Sequence, residues 1–306
     1  MGCGASTPAV NDGEAPLQVP PEPPKSRASG PPKRRASYQS PEVTLPDVAG
    51  PGNVNPLPSH VVGTYSNHGI KPGPYGKPSA KINQDRGFIT YPLCGDKTMC
   101  LMAVYDGHGS NGELVSEFVM VKVPDLLEEN PERLRTDPVS SLTDAFEKSD
   151  KALLDSNIPS SVSGSTGIAV LMHGSKYYAA NVGDSRAVLA RKAADGTYKT
   201  VDLSIDQKPD TPAEQQRILA SGGYVSPESP QFGPARVWLR PGEGPGLAMA
   251  RSLGDHVCKQ VGVIATPEVR RRPRTASHPP PPSFARPLSP SDDPVGRRAI
   301  VAGAGL

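Results

Sequence analysis

Apolar and polar positions alternate between strand-like and helix-like spacing through the middle of the chain. Thr98-Met99-Cys100-Leu101-Met102-Ala103-Val104-Tyr105 is a short apolar run of strand length, and Asp106-Gly107-His108-Gly109 predicts a turn at its end. From Glu113 to Glu129, apolar residues fall at 114, 115, 118, 119, 121, 123, 126 and 127, a helical face interrupted at Pro124. Pro138–Ser156 predicts a second helix, with Asp137 as N-cap and Pro138 at the first helical position. Thr166–Met172, Lys176–Val182 and Arg186–Ala190 predict three strands. The turns between them, His173-Gly174-Ser175 and Gly183-Asp184-Ser185, are short enough for an antiparallel meander. Thr211-Pro212-Ala213-Glu214 reads as a capping box opening a helix that runs to Ser221 and stops at Gly222-Gly223. Strands and helices come in blocks, which favours an α+β fold over a doubly wound sheet.

Composition limits how much of the chain this pattern governs. Of 306 residues, 37 are proline and 31 glycine, while aromatics make up only 5%. Sixteen of the prolines lie in residues 1–80 and eight in residues 270–306. The expectation is a globular domain over 61–269, a disordered Pro-rich segment over 1–60 and a disordered basic tail over 270–306. The net charge of +2 divides unevenly, +2 in residues 1–80, +5 in residues 270–306 and −5 between them. The basic excess therefore sits in the ends, and nucleic acid is not an expected partner. No run approaches 18 apolar residues, which excludes a membrane-spanning helix, and no secretory signal pattern is present. The 4 cysteines match no zinc spacing and read as buried or free thiols in a reducing compartment.

The first residues carry an address. Met1-Gly2-Cys3-Gly4-Ala5-Ser6 fits the rule for myristoylation at Gly2, with Cys3 a candidate for palmitoylation. Two chains hold a protein on a membrane where one does not, so attachment to a cytosolic membrane face is expected. Arg34-Arg35-Ala36-Ser37 resembles the substrate pattern of basophilic kinases and makes Ser37 a candidate phosphosite. Phosphate there would loosen contact with an anionic lipid surface; the alternative is a linker that its basic residues merely keep solvated.

Asp85 and Asp106 are the candidate chemistry. Carboxylates on rigid strand ends, beside a glycine whose carbonyl is accessible, suit hard cations such as Mg²⁺ or Mn²⁺. One aspartate can bridge two such ions, and the pair can activate a shared water for attack on a phosphoryl group. His108 is placed to protonate a leaving alkoxide. By itself D-G-H-G is a weak signal, since most Asp-Gly pairs are turns.

Six stretches together resemble the type 2C metal-dependent protein serine/threonine phosphatases (PPM family) in plant-like form. They are NQDRG at 83–87, VYDGHGSNG at 104–112, SGSTGIAVL at 163–171, YYAANVGDSRAVLARK at 177–192, LSIDQKPDTPAEQQRILASGGYV at 203–225 and GPGLAMARSLGDHVCKQVGVIATPEV at 244–269. The resemblance implies a two-sheet β-sandwich flanked by helices, with two divalent cations, Mg²⁺ or Mn²⁺, at one end. It implies Asp106 as the metal-bridging aspartate, Gly107 as a backbone-carbonyl ligand, Asp85 beside the second metal and His108 as general acid. Asp184 matches the position of a weak third metal in some members, or is a turn aspartate supporting the meander. Gly164-Ser165-Thr166 and Gly254-Asp255 resemble structural hallmarks. Gln84 stands where many members have an acidic residue. Ala80 stands where some have a phosphate-holding arginine, leaving Lys81 as the substitute.

The family continues past Val269 for roughly a hundred residues, bringing two more metal-ligating aspartates in a D-G turn and a D-N pair. Here the chain reads Arg270-Arg271-Arg272-Pro273-Arg274 and Pro279-Pro280-Pro281-Pro282, as a translated intron, a frameshift or an alternative isoform does. The expectation is a fold lacking the family's C-terminal strands, which folds poorly and has little activity. The resemblance implies a monomeric phosphatase acting on phosphoserine and phosphothreonine in proteins through a metal-activated water. The alternative is a membrane-anchored pseudophosphatase that binds phosphoproteins.

Overall fold

Backbone pairing begins with a short antiparallel ribbon, β1 (Ile70–Pro72) on β2 (Pro78–Ala80), followed by β3 (Asp85–Thr90) laid antiparallel on β4 (Met99–His108). The structure, a computed structural model, describes residues 63–73, 77–192, 197–231, 233–273 and 298–303. The predicted segment 1–60, with Gly2, Cys3 and Ser37, lies outside the described residues.

β4 is longer than its apolar run. Asp106-Gly107-His108 is strand rather than turn, because both flanks offer ladder partners: Asp85 opposite Asp106 on one side, Ser165 and Gly164 opposite Gly107 and His108 on the other. The chain turns only at Gly109, where φ is +82°, a conformation glycine takes without strain.

Three helices follow, α1 (Gly112–Glu128), α2 (Pro131–Thr136) and α3 (Pro138–Leu154). α1 continues past Pro124, contrary to the expected interruption. A proline inside a helix costs about 3 kcal/mol. Val115, Val119, Val123 and Leu127 are all buried on one stripe, each contributing about 1.5–3 kcal/mol, and that burial carries the helix past the break. α3 starts as expected, with Asp137 accepting from the Ser140 N–H at 3.2 Å.

The remaining elements are β5 (Gly164–Ser165), β6 (Gly167–His173), β7 (Lys176–Val182), β8 (Arg186–Lys192), β9 (Tyr198–Asp202), α4 (Pro212–Ala220), β10 (Tyr224–Ser226), β11 (Arg236–Trp238), β12 (Leu253–Gly254), α5 (His256–Lys259), β13 (Glu268–Pro273) and β14 (Arg298–Gly303). One sheet has the order β12-β5-β4-β6-β7-β13, with β3 also on β4; the second has the order β14-β8-β9; β10 and β11 form a separate ribbon. The expected meander therefore breaks after its first hairpin, and β8 belongs to the other sheet. Gly183, at φ +99°, is held by the Gln207 side chain, whose Oε1 accepts its N–H at 2.8 Å, and by Asn181, which donates to its carbonyl at 3.1 Å. These bonds direct the chain across the sandwich instead of back along β7.

Period-two alternation in β4 assigns its faces. Met99, Leu101, Ala103 and Tyr105 join the layer under α1 and α3, whereas Met102 and Val104 face Ile168, Val170, Ala187 and Leu189 between the sheets. A smaller cluster around Ile218, Val237, Ala250 and Val263 supports α4. The capping box at Thr211 does not form: Thr211 makes no side-chain cap bond, and Glu214 reaches Arg251 and Arg217 instead.

The stretch expected as a disordered tail contributes strand at two places. Arg270–Pro273 extends β13 along β7, and Arg298–Gly303 pairs along β8. β7 and β8 each have a backbone edge there, and ladder pairing satisfies it. Residues 274–297 lie outside the described residues.

Candidate active site

The register of β3 on β4 sets Asp85 directly opposite Asp106, and opposed residues of an antiparallel pair project to the same face. The Asp85 N–H donates to Asn83 Oδ1 at 3.1 Å, and Arg86 donates to the Asn83 and Asp85 carbonyls at 3.1 and 2.9 Å, fixing the start of β3. The Asp106 backbone is tied on its other side: its N–H donates to Thr166 Oγ1, and the Thr166 N–H donates to its carbonyl, both at 2.9 Å. Thr166 Oγ1 in turn lies 2.6 Å from Ser185 Oγ. The Gly164-Ser165-Thr166 and Gly183-Asp184-Ser185 segments are thus the walls that hold Asp106.

These contacts bring like charges together. Burial first, then the charges of Asp85 and Asp184, push the Asp106 carboxyl up to about 7, and a hydrogen bond with Asp85 acts the same way. Asp184 does not sit in a hairpin turn; it forms an ion pair with Lys208, a partner that sequence reasoning missed. Among the described residues, no Lys or Arg forms an ion pair with Asp85 or Asp106.

Gly107 is required by space. A Cβ there would lie 2.3 Å from the Gly112 carbonyl oxygen and 2.5 Å from that of Gln84. This close approach seats the start of α1 against β4. Gln84 fastens the same corner, its amide donating to the Gly109 carbonyl at 2.8 Å and to Glu113 Oε2 at 2.9 Å. A carboxylate in place of the amide would face two acceptors without a proton to give.

His108 follows on the same strand, with Nε2 2.7 Å from Asp255 Oδ2. Its Nδ1 is buried without a protein partner. Burial pulls the imidazole down, but the bond and charge of Asp255, with Asp106 and Asp184, outweigh it and hold it above its ordinary value. Asp255, 1% exposed, is a partner of His108 that the sequence reading placed among structural hallmarks.

Lys81 stands apart. It is exposed, its N–H donates to the Gly69 carbonyl at 2.8 Å, and its side chain passes beside Gly69 on the β1–β2 ribbon. Among the described residues it makes no ion pair with either aspartate.

Among the described residues, no group of three or more His, Cys, Asp and Glu side chains is gathered as a metal-ligand set. The paired carboxylates nevertheless fit a hard divalent cation. A cation between them would offset the charges and burial that push the Asp106 carboxyl up, and among the described residues no Lys or Arg is paired with either.

A family model described as "Protein phosphatase 2C" matches residues 83–279. "Probable protein phosphatase 2C 35" of Arabidopsis thaliana is 39% identical over 215 residues, which are 64% of this chain and 61% of that protein. "Probable protein phosphatase 2C 61" of Arabidopsis thaliana is 35% identical over 222 residues, covering 70% of this chain and 68% of that one. Among solved structures, the serine-threonine phosphatase 2C from Toxoplasma gondii superposes with a TM-score of 0.54 at 23% identity, over 64% of this chain and 70% of that one, a likeness of fold.

Proposed function

The chain belongs to the protein phosphatase 2C family, and on that premise we propose that it hydrolyses phosphoserine and phosphothreonine in protein substrates with two divalent cations, Mg²⁺ or Mn²⁺. The observation that carries this reading is Asp85 opposite Asp106, with the Asp106 carboxyl pushed up to about 7 by burial and then by its acidic neighbours. Asp85, Asp106 and the Gly107 carbonyl are the groups that would hold the cations. Bound there, the cations supply an activated water and charge neutralisation at the phosphoryl oxygens.

The protein's own groups do the rest. His108 gives a proton to the departing seryl or threonyl oxygen, so the alcohol leaves neutral. Asp184 adds negative charge beside Asp106 and serves as a further cation ligand once released from Lys208. Lys81, exposed beside the β1–β2 ribbon, is the candidate contact for the substrate phosphate. No side chain of the enzyme attacks phosphorus, so no phosphoenzyme forms.

The N-terminal sequence supports a second part of the proposal: acylation at Gly2 and Cys3 tethers a monomeric enzyme to the cytosolic face of a membrane. The mass of the N-terminal peptide from the cellular protein tests it, and an unmodified Gly2 refutes it.

The hydrolytic reading is tested by phosphate release from a phosphothreonine peptide and a phosphotyrosine peptide, with Mn²⁺ or with chelator. Release from the phosphothreonine peptide alone, abolished by chelator, is expected. Equal release from both peptides, or release that persists in chelator, contradicts it.

A further inference from the structure

We propose that Asp255 is a positioning residue of this site: it accepts the Nε2–H of His108 and so fixes the place and orientation of the imidazole beside Asp106. The inference deepens the reading of His108 as proton donor and rests on it.

The first observation is a cap that is not made. Asp255 stands at the N-cap position of α5, where aspartate ordinarily accepts from backbone N–H groups of the first turn. Its side chain makes no such bond and points instead at His108, with Oδ2 2.7 Å from Nε2.

The second is the backbone that holds it there. Asp255 is a non-glycine residue at φ 49° and ψ 44°, the left-handed region. Such conformations persist where the surroundings over-determine them and are common at functional sites. Its N–H donates to the Ser163 carbonyl at 3.0 Å and its carbonyl accepts from the Cys258 N–H at 2.7 Å. Next to it, the Gly254 N–H donates to Asp150 Oδ1 at 2.7 Å, and Lys259 Nζ bridges Asp150 at 3.2 Å and the Ser252 carbonyl at 2.6 Å. Helix α3 thereby clamps the turn that carries Asp255.

The third is the space cleared for the contact. Gly164 pairs with His108 across β4 and β5. A Cβ on Gly164 would lie 2.1 Å from Asp255 Oδ2 and 2.8 Å from His108 Nε2. Glycine is the residue that lets the carboxylate and imidazole meet.

In the hydrolysis, the P–O bond to the substrate oxygen breaks with its electron pair on oxygen, and that oxygen takes a proton from the His108 imidazolium and leaves as alcohol. The water oxygen forms the new P–O bond, and the proton it releases restores the imidazolium. A fixed orientation matters because an imidazole free to turn spends part of its time with its proton directed away from the leaving group.

Two measurements on the full 306-residue chain test the proposal. The first is proton–nitrogen correlation of the histidine side chains, with His108 assigned by His108→Gln. Nε2 of His108 is expected to carry a proton whose resonance is displaced downfield and lost or shifted in Asp255→Asn. A His108 protonated on Nδ1 alone in the wild type overturns the proposal, and this readout does not depend on activity. The second compares kcat on a phosphothreonine peptide with kcat on p-nitrophenyl phosphate, whose leaving group departs without a proton. Asp255→Asn is expected to lower the first by about 10–100-fold and the second by no more than about threefold, matching His108→Gln. Equal loss on both substrates in Asp255→Asn, with His108→Gln selective, overturns the positioning role. If His108→Gln is itself unselective, the reading of His108 as donor fails, and the spectra alone decide on the Asp255 contact.

Discussion

Asp85 and Asp106 face each other across β3 and β4, and the Asp106 carboxyl is pushed up to about 7 by burial and by its acidic neighbours. Two carboxylates so placed oppose the metal-free fold and favour a cation between them.

Stability should follow from that opposition. A raised carboxyl pKa means stability present at low pH and lost as pH climbs from the unfolded value of about 4 through the folded value of about 7. Asp106→Asn removes the repulsion. Without metal, the variant is expected to melt higher than the wild type, by a margin that grows between about pH 4 and pH 7 and then levels. Mn²⁺ should raise the melting temperature of the wild type and leave the variant unmoved. Scanning calorimetry across pH, with and without Mn²⁺, checks both.

Lys208 competes for the same field. It pairs with Asp184, which adds to the negative charge at Asp106. Lys208→Gln should release that carboxylate and tighten Mn²⁺ binding by about 2–5-fold, the worth of a partly exposed ion pair. Titration calorimetry of the two proteins reads the difference, and weaker binding by the variant counts against the placement of Asp184.

Gln84 is a neutral donor between the Gly109 carbonyl and Glu113. Gln84→Glu replaces two donated bonds with repulsion, and a loss of about 1–3 kcal/mol at pH 7 is expected in urea unfolding. Lowering the pH to 4 should recover part of that loss.

Away from the metal end, Glu214 joins α4 to the segment before β12. Burial by itself would raise its carboxyl, and the bonds from Arg251 and Arg217 outweigh burial and hold it below the usual range. Arg251 Nη2 approaches Glu214 Oε1 at 2.5 Å and Arg217 Nη2 approaches Oε2 at 2.7 Å. A lowered carboxyl gives stability present above the unfolded value of about 4.3 and lost as pH falls through the folded one. Glu214→Gln leaves two guanidinium groups without their carboxylate and should cost about 3–5 kcal/mol at pH 7, and less near pH 3. Urea unfolding at the two pH values measures the contrast.

The sequence was most legible where local chemistry decides. Lys176–Val182 forms the strand its bounding turns predict, and α3 begins at the Asp137-Pro138 cap. It misled where a distant partner took over. Glu214 was placed in a capping box, but Arg251, 37 residues away, holds it. Gly183-Asp184-Ser185 has the composition of a hairpin turn, and Gln207 turns it into a crossing between sheets. Asp106-Gly107-His108 looks like a loop until Ser165 and Gly164 supply its ladder partners. In the candidate site, Asp85, Asp106 and His108 are singled out by motif and stand on paired strands, whereas Asp255 lies 147 residues from His108 and gives no local sign of the contact.

The most direct test of the account is the initial rate of phosphate release from a phosphothreonine peptide by the purified chain, titrated with Mn²⁺ beside Asp106→Asn. The account predicts a rate that saturates with Mn²⁺ and falls at least about 100-fold in the variant, which must remain folded by circular dichroism. A folded wild-type chain without Mn²⁺-dependent release, or a variant as fast as the wild type, would contradict it.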